Sequence, residues 1–271
     1  MANALDGRTA VVTGGSRGIG RGIVEFLARD GAEVIFCGRS ADVGSQVEQE
    51  LKARGYNVRF IEADMESSDG VAAFAEHVLS QHEVDILVNN VGGAHDPEAG
   101  ERPFIDIPIS DWPLTFMKCT FNAIDLCNRF VPGMQKRGSG RVINISSTAG
   151  LEPGTVAADY SAAKAALNTA TKGLANSLAF TGVTVNVVAP GPTLTDSLAA
   201  FIDFMAQQGG WPETGVAREQ RFAREVLPVK TTRLGRPEDI GAMVALLAGP
   251  HGDFITGAIM RVDGGFTEAA V

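Results

Sequence analysis

Cysteine is scarce in this chain. Cys37, Cys119 and Cys127 are its three cysteines, too few and too unevenly spaced for a disulfide framework. No Cys-x-x-Cys occurs, and His77, His82, His95 and His251 show no metal-ligand spacing. No metal is therefore expected, and a reducing compartment fits. No block of Lys and Arg offers a footing for a phosphate backbone, and a formal net charge of −9 repels one, so nucleic acid is not an expected partner. No run of about 18 apolar residues is present to cross a membrane. The first eight residues, Met1 to Arg8, hold no apolar signal region. The expected location is the cytoplasm. Linkers, repeats and low-complexity segments are also missing.

What the chain does have is enough apolar material for a large core. Of 271 residues, 45% are hydrophobic and 20% charged, as in globular proteins. Short β-branched, apolar runs at 9–13, 33–37, 58–61, 85–89, 141–146, 183–188 and 258–262 read as strands. Helical patterns fall between them at 19–30, 42–54, 69–80, 111–136 and 155–180, with a last helix at 237–248. Alternating strands and helices need crossovers, which give a parallel sheet covered on both faces. The expectation is a single α/β domain, a doubly wound Rossmann-type sheet of about seven strands with helices on both faces. One excursion at about 192–234 breaks the pattern. Such sheets bind ligands beyond the carboxyl ends of their strands, where the strand order reverses.

The first strand runs into Thr13-Gly-Gly-Ser-Arg-Gly-Ile-Gly20 and a helix. Gly14, Gly18 and Gly20 are spaced for a tight turn, for close approach of backbone to a pyrophosphate and for packing of helix on strand. Ser16, Arg17 and Ile19 complete the loop, and the helix start presents free N–H groups to an anion. The plainer alternative is a glycine turn without a ligand. NAD sites carry an acid at the end of the second strand, about 20 residues after the loop, for the ribose 2′-hydroxyl. This chain has Gly38, Arg39 and Ser40 there. Arg39, with Arg17 beside it, suits a 2′-phosphate through bidentate bonds. The cofactor expected is NADP rather than NAD; the alternative is two solvated surface arginines.

Tyr160 and Lys164 stand four apart near a helix start and share a face. A neighbouring ammonium is expected to lower the phenol pKa toward a range useful for proton exchange with a carbonyl or alcohol oxygen. Ser147 follows the strand at 141–146 and lies thirteen residues before the tyrosine; its hydroxyl can bond a developing alkoxide. Alone, Tyr-x-x-x-Lys is a weak signal, and its alternative is a surface pair. The upstream loop and the serine give it force.

With these segments together the chain resembles the short-chain dehydrogenase/reductase family, and 3-oxoacyl-carrier-protein reductases within it. The likeness also rests on Asp64-Met65, Asn89-Asn-Val-Gly92, Asn144-Ile-Ser-Ser147, Pro190-Gly-Pro-Thr-Leu-Thr195, Arg236-Pro-Glu-Asp239 and Val262-Asp-Gly-Gly265. The resemblance implies a seven-stranded sheet, a homotetramer or homodimer, and a small carbonyl or alcohol substrate. It implies that Tyr160 is the general acid/base, that Lys164 also binds the nicotinamide ribose, and that Ser147 orients the substrate oxygen. Asp64 and Met65 would flank adenine, Asn90, Val91 and Gly92 would line the cofactor, and Pro190, Gly191, Thr193 and Thr195 would hold the carboxamide end. Two departures stand out. Val91 replaces the usual alanine, and Cys119 occupies a helix position where the family often has the asparagine of a water relay to the lysine. A thiol is a poor hydrogen-bonding substitute; Asn122, one turn on, is a candidate replacement.

The function expected is an NADP-dependent oxidoreductase; the alternative is a nucleotide-binding regulator without turnover. The substrate is not legible. Phe201, Phe204 and Met205 in the excursion fall at helical spacing, expected to pack on the core or on a neighbouring subunit, with an apolar lid as the alternative. A polar rim loop from His95 to Arg102 is a second candidate substrate contact.

Overall fold

Strands that are apolar on both faces need a helix laid over each face, and the chain supplies one at nearly every crossover. The computed structural model describes residues 3–93 and 102–269. It runs β1 (Thr9–Val12), α1 (Gly18–Arg29), β2 (Glu33–Gly38), α2 (Ala41–Ala53), β3 (Val58–Glu62), α3 (Ser68–Leu79) and β4 (Ile86–Asn89). Then follow α4 (Asp111–Phe116), α5 (Asn122–Arg137), β5 (Gly140–Ile145), α6 (Ala158–Ser177), β6 (Val183–Pro190), α7 (Asp196–Gln208), α8 (Gly215–Glu225), α9 (Pro237–Ala248) and β7 (Ile259–Val262). The seven strands form one sheet in the order β3-β2-β1-β4-β5-β6-β7, every pair parallel. The order reverses between β1 and β4, so the loops after these strands face each other across the switch point.

Alternate strand residues feed opposite layers. Ala10, Val12, Val34 and Phe36 pack with Val24, Leu27, Val47, Leu51 and Val244 of α1, α2 and α9. Val11, Ile35 and Cys37 face the other way, toward Phe74, Leu126, Phe130 and Ala175 of α3, α5 and α6. Burial pushes the thiols of Cys37 and Cys127 up to about 12, so both are inert core groups.

The structure departs from the sequence pattern in two places. The helix expected over 111–136 is interrupted by a π turn at Met117–Phe121. One residue more per turn is accommodated there, an irregularity often found beside functional sites; Lys118 and Cys119 both stand on it. The excursion is not irregular: it contains α7 and α8, which close on a small core of their own. Ile202, Phe222, Ala223 and Leu234 are buried there, with Leu198, Phe201, Met205 and Trp211 packed against them. Helical spacing at Phe201 and Met205 thus reflects packing between α7 and α8, while Phe204 is 52% exposed. The loop from His95 lies, up to residue 101, outside the described residues.

A carboxylate anchors this unit to the sheet domain. Glu219 on α8 is buried, takes two hydrogen bonds of 2.8 Å from Arg236 and accepts one from the Leu234 amide. Arg233 grips Asp239 through two more, 2.6 and 2.9 Å. Burial acts to raise the Glu219 pKa, but Arg236 and the Leu234 amide outweigh it and hold the group below its usual 4.5. Asp239 is likewise held below 3.8, chiefly by Arg233. Carboxylates lowered in the native state add stability that is full above their unfolded pKa and is lost as pH falls through the native one. Acidification from about pH 5 to about pH 3 is therefore expected to strip hydrogen-exchange protection from α8 and Leu234 before β4 and β5. Simultaneous loss in both regions would refute the anchor.

Candidate active site

The loop after β1 has the backbone its glycines foretell. Gly14 and Gly18 have φ of +66° and +51°, a region that favours glycine. At Gly20 the constraint is space: a Cβ there would lie 2.1 Å from the Gly14 carbonyl oxygen and 2.5 Å from Asn90 Nδ2. Asn90 staples this loop to the end of β4. Its Nδ2 donates to the carbonyls of Thr13 and Gly14 at 2.9 and 3.2 Å, and its amide donates to Thr13 Oγ1. Helix α1 has no acidic residue in its first turn and no side-chain cap, which leaves its N–H groups and positive dipole end to an anion.

A cleft of about 500 Å³ opens in front of this loop. Gly14, Ser16, Arg17, Arg39, Ser40, Met65, Asn90, Val91 and Gly92 all line it. A second cleft of about 290 Å³ shares Ser16 and Arg17 as a wall and adds Gly18 and Thr195. Ile19, Asp64, Pro190, Gly191 and Thr193 line neither. Asp64 Oδ1 instead accepts the Glu66 amide at 3.0 Å and shapes the turn after β3. Gly191 donates to the Val262 carbonyl at 3.0 Å, bracing the end of β6 on β7.

Sequence reasoning missed Gly38, Ala63, Glu66, Lys118 and Ser197 in the first cleft. Adjacency to Asp64-Met65 was a signal for Glu66; Lys118, inside a helical pattern, gave none. The two are joined. Glu66 Oε1 lies 3.0 Å from Arg39 Nη1 and 2.9 Å from Lys118 Nζ. The cleft carries Arg17, Arg39 and Lys118 against the one carboxylate of Glu66, a positive surface in a protein of net charge −9. An anionic dinucleotide fits such a cradle of open helix amides, left-handed glycines and guanidinium groups. Among the described residues no group of three or more metal ligands lies together.

Ser147, Tyr160 and Lys164 line neither cleft, yet Lys164 borders the first one through Gly92. A Cβ on Gly92 would stand 2.7 Å from Lys164 Nζ, so the cleft wall and the ammonium are in contact. Lys164 is buried and its ammonium donates to the Ile145 carbonyl at 2.8 Å; among the described residues that is the ammonium's one hydrogen bond. Burial lowers its pKa, with Cys119 opposing. The strand ends are aligned by a buried chain: Asn89 Nδ2 donates to Asn144 Oδ1 at 2.8 Å, and Asn144 Nδ2 to Thr171 Oγ1 at 2.9 Å. It ties β4, which leads to Gly92, to β5, which leads to Ser147, and to α6, which carries Tyr160.

The tyrosine differs from expectation. Burial pushes its phenol up to about 12, Cys119 acts in the same direction, and a hydrogen bond with Ser147 opposes them. Lys164 does not lower it, because the ammonium is turned to Ile145 and sits 5.8 Å from the ring centroid. Cys119 lies close enough to act electrostatically on Lys164 and Tyr160, but among the described residues it makes no hydrogen bond to the lysine. Its Sγ accepts from the Gly93 amide at 3.4 Å and donates to the Gly93 carbonyl at 3.3 Å. Asn122 does not replace it either, since its Nδ2 donates to the Met65 carbonyl at 2.8 Å.

Comparison with known proteins gives a consistent picture. Residues 8–205 match the family described as short chain dehydrogenase. An uncharacterized oxidoreductase, YvaG, of Bacillus subtilis is 35% identical over 98% of both chains. The 3-oxoacyl-[acyl-carrier-protein] reductase of Vibrio cholerae is 34% identical over 96% of this chain and 98% of its own. Among solved structures, L-sorbose reductase of Gluconobacter frateurii, complexed with NADPH and L-sorbose, superimposes with a TM-score of 0.89 at 28% identity, covering 99% of this chain and 100% of that one.

The glycine geometry can be tested directly. Gly20→Ala is expected to destabilise the fold by about 1–3 kcal/mol through overpacking and to weaken dinucleotide binding by opening the loop. Gly154→Ala, where a Cβ would meet nothing within 4 Å, should change neither. Denaturant melts and nicotinamide emission read both effects; equal behaviour of the two variants would contradict the packing argument.

Proposed function

The chain belongs to the short-chain dehydrogenase family, and on that premise we propose that it is an NADP-dependent oxidoreductase moving a hydride between nicotinamide and a carbonyl or secondary alcohol, with Tyr160 as general acid and base. The observation that carries this reading is the position of Gly92, which is at once a wall of the cationic cleft and the contact surface of Lys164. The cationic cleft and the buried ammonium, whose helix also carries Tyr160, thus adjoin across one residue, which supports the reading.

Arg39 and Arg17 would hold the adenosine phosphates, and the open amides of α1 the pyrophosphate. When bound, the nicotinamide supplies or takes up the hydride. Tyr160, with a phenol pushed up to about 12, is protonated at neutral pH and stands ready to donate to the oxygen of a carbonyl. Ser147 is hydrogen-bonded to that phenol and holds the same substrate oxygen. Lys164 keeps two ammonium hydrogens beyond the one given to Ile145. These would hold the ribose hydroxyls of a bound dinucleotide. The retained Ser147, Tyr160 and Lys164 favour this reading over a regulator without turnover.

Substrate access falls to α7, whose start lines both clefts through Thr195, Asp196 and Ser197. Two of the relatives named above are a 3-oxoacyl-[acyl-carrier-protein] reductase and an L-sorbose reductase, and a ketone or secondary alcohol is the common denominator we adopt. A homodimer or homotetramer through α5 and α6 completes the reading, as does a cytoplasmic location, in keeping with three free cysteines.

The high phenol pKa fixes the pH dependence. Reduction uses the neutral phenol, present below the pKa, so its rate should be flat from about pH 6 to about pH 8. Oxidation needs the tyrosinate, so its kcat should climb through the alkaline range. Tyr160→Phe should lower both by about 10²–10⁴-fold with NADPH affinity retained. An alkaline limb unchanged in that variant would remove Tyr160 from the role. Arg39→Asp should abolish or reverse a preference for NADPH over NADH in binding titrations; an unchanged preference would sink the cofactor assignment.

A further inference from the structure

We propose that Glu66 and Lys118 set the cofactor preference of the cleft: Glu66 is a carboxylate that competes with a 2′-phosphate for Arg39 and can accept a 2′-hydroxyl, and Lys118 is the cation that draws it away. The inference rests on the dinucleotide reading above.

The geometry is a three-charge clasp. A single oxygen, Glu66 Oε1, lies 3.0 Å from Arg39 Nη1 and 2.9 Å from Lys118 Nζ. Arg39 follows β2, Glu66 follows β3, and Lys118 stands on the π turn before α5, so the clasp joins three separate elements around one cleft. Among the described residues these two cations are the side-chain partners of Glu66. The cations differ in freedom. The Arg39 side chain is 66% exposed, whereas that of Lys118 is 16% exposed and passes 3.9 Å from the Cβ position of Gly93. Arg39 is therefore the partner that can leave.

The chemistry follows from charge. A phosphate monoester carries close to two negative charges at neutral pH, more than one carboxylate, and can displace Glu66 from Arg39. Glu66 then stays with Lys118, and the repulsion between carboxylate and phosphate is reduced by that ammonium. A 2′-hydroxyl has no charge to compete with but can donate a hydrogen bond, and the Glu66 carboxylate can accept it. The end of β2 lacks the acid that does this in NAD sites. Here a carboxylate reaches the same arginine from β3. The balance between the two cofactors then depends on how firmly Lys118 holds Glu66.

The test is a set of binding titrations of NADPH and NADH, followed by nicotinamide emission, on the intact protein and on Glu66→Gln, Lys118→Met and Arg39→Ser. Glu66→Gln should raise the ratio Kd(NADH)/Kd(NADPH) by about fivefold, and Lys118→Met should lower it by a similar factor, as expected for partly exposed ion pairs. Both changes should shrink in high salt. A ratio unmoved in both variants, or one that falls in Glu66→Gln, overturns the proposal. So does equal weakening of both cofactors, the mark of a merely structural role. Arg39→Ser separates the layers. If it leaves a preference for NADPH intact, the cofactor assignment falls together with the clasp. If it removes that preference while Glu66→Gln and Lys118→Met leave the ratio unmoved, the clasp alone falls.

Discussion

An ammonium taken out of water stays charged only where neighbouring groups replace its hydration. Lys164 meets that demand with the Ile145 carbonyl at 2.8 Å, and the surrounding architecture follows from the arrangement. The carbonyl must be the last of β5, so Ser147 comes two residues later at the same sheet edge. The lysine must enter from α6, so Tyr160, four residues earlier, stands beside it. The residue facing the ammonium from the loop after β4 is Gly92, where a Cβ would approach Nζ to 2.7 Å and make the lysine shift. The Asn89–Asn144–Thr171 chain holds these three elements in register, since one slipped residue would point each side chain to the opposite face.

That part of the molecule was legible because it depends on short-range pattern. Doubly apolar strands at 33–37 and 183–188 name a covered parallel sheet, and glycines at fixed offsets name the loop. Tyr160 and Lys164 share a helix face by spacing alone. The π turn at Met117–Phe121 was not legible, since residues 111–136 keep a helical pattern throughout and the bulge is fixed by tertiary packing. For the same reason Cys119 could be placed in sequence but not in space. The structure turns it to Gly93.

Electrostatics was legible only in part. The arginine at the end of β2 and the missing acid beside it can be read along the chain. The carboxylate that reaches Arg39 from the turn after β3, and the lysine that shares it, come from positions 27 and 79 residues further on. Only folding brings them to one cleft. The phenol illustrates a related point. Spacing puts a cation near Tyr160 and suggests a lowered pKa, but desolvation dominates once the ammonium has turned to a backbone carbonyl.

The separate core of α7 and α8 has a consequence for where substitutions are felt. Ile202, Phe222, Ala223 and Leu234 close mainly over one another, and the unit is fastened by Glu219 and Arg236. Substitutions within it therefore act first on the packing of α7 against α8 rather than on that of the sheet. A change of volume in that small core is taken up between two helices before it reaches the strands beneath the glycine loop.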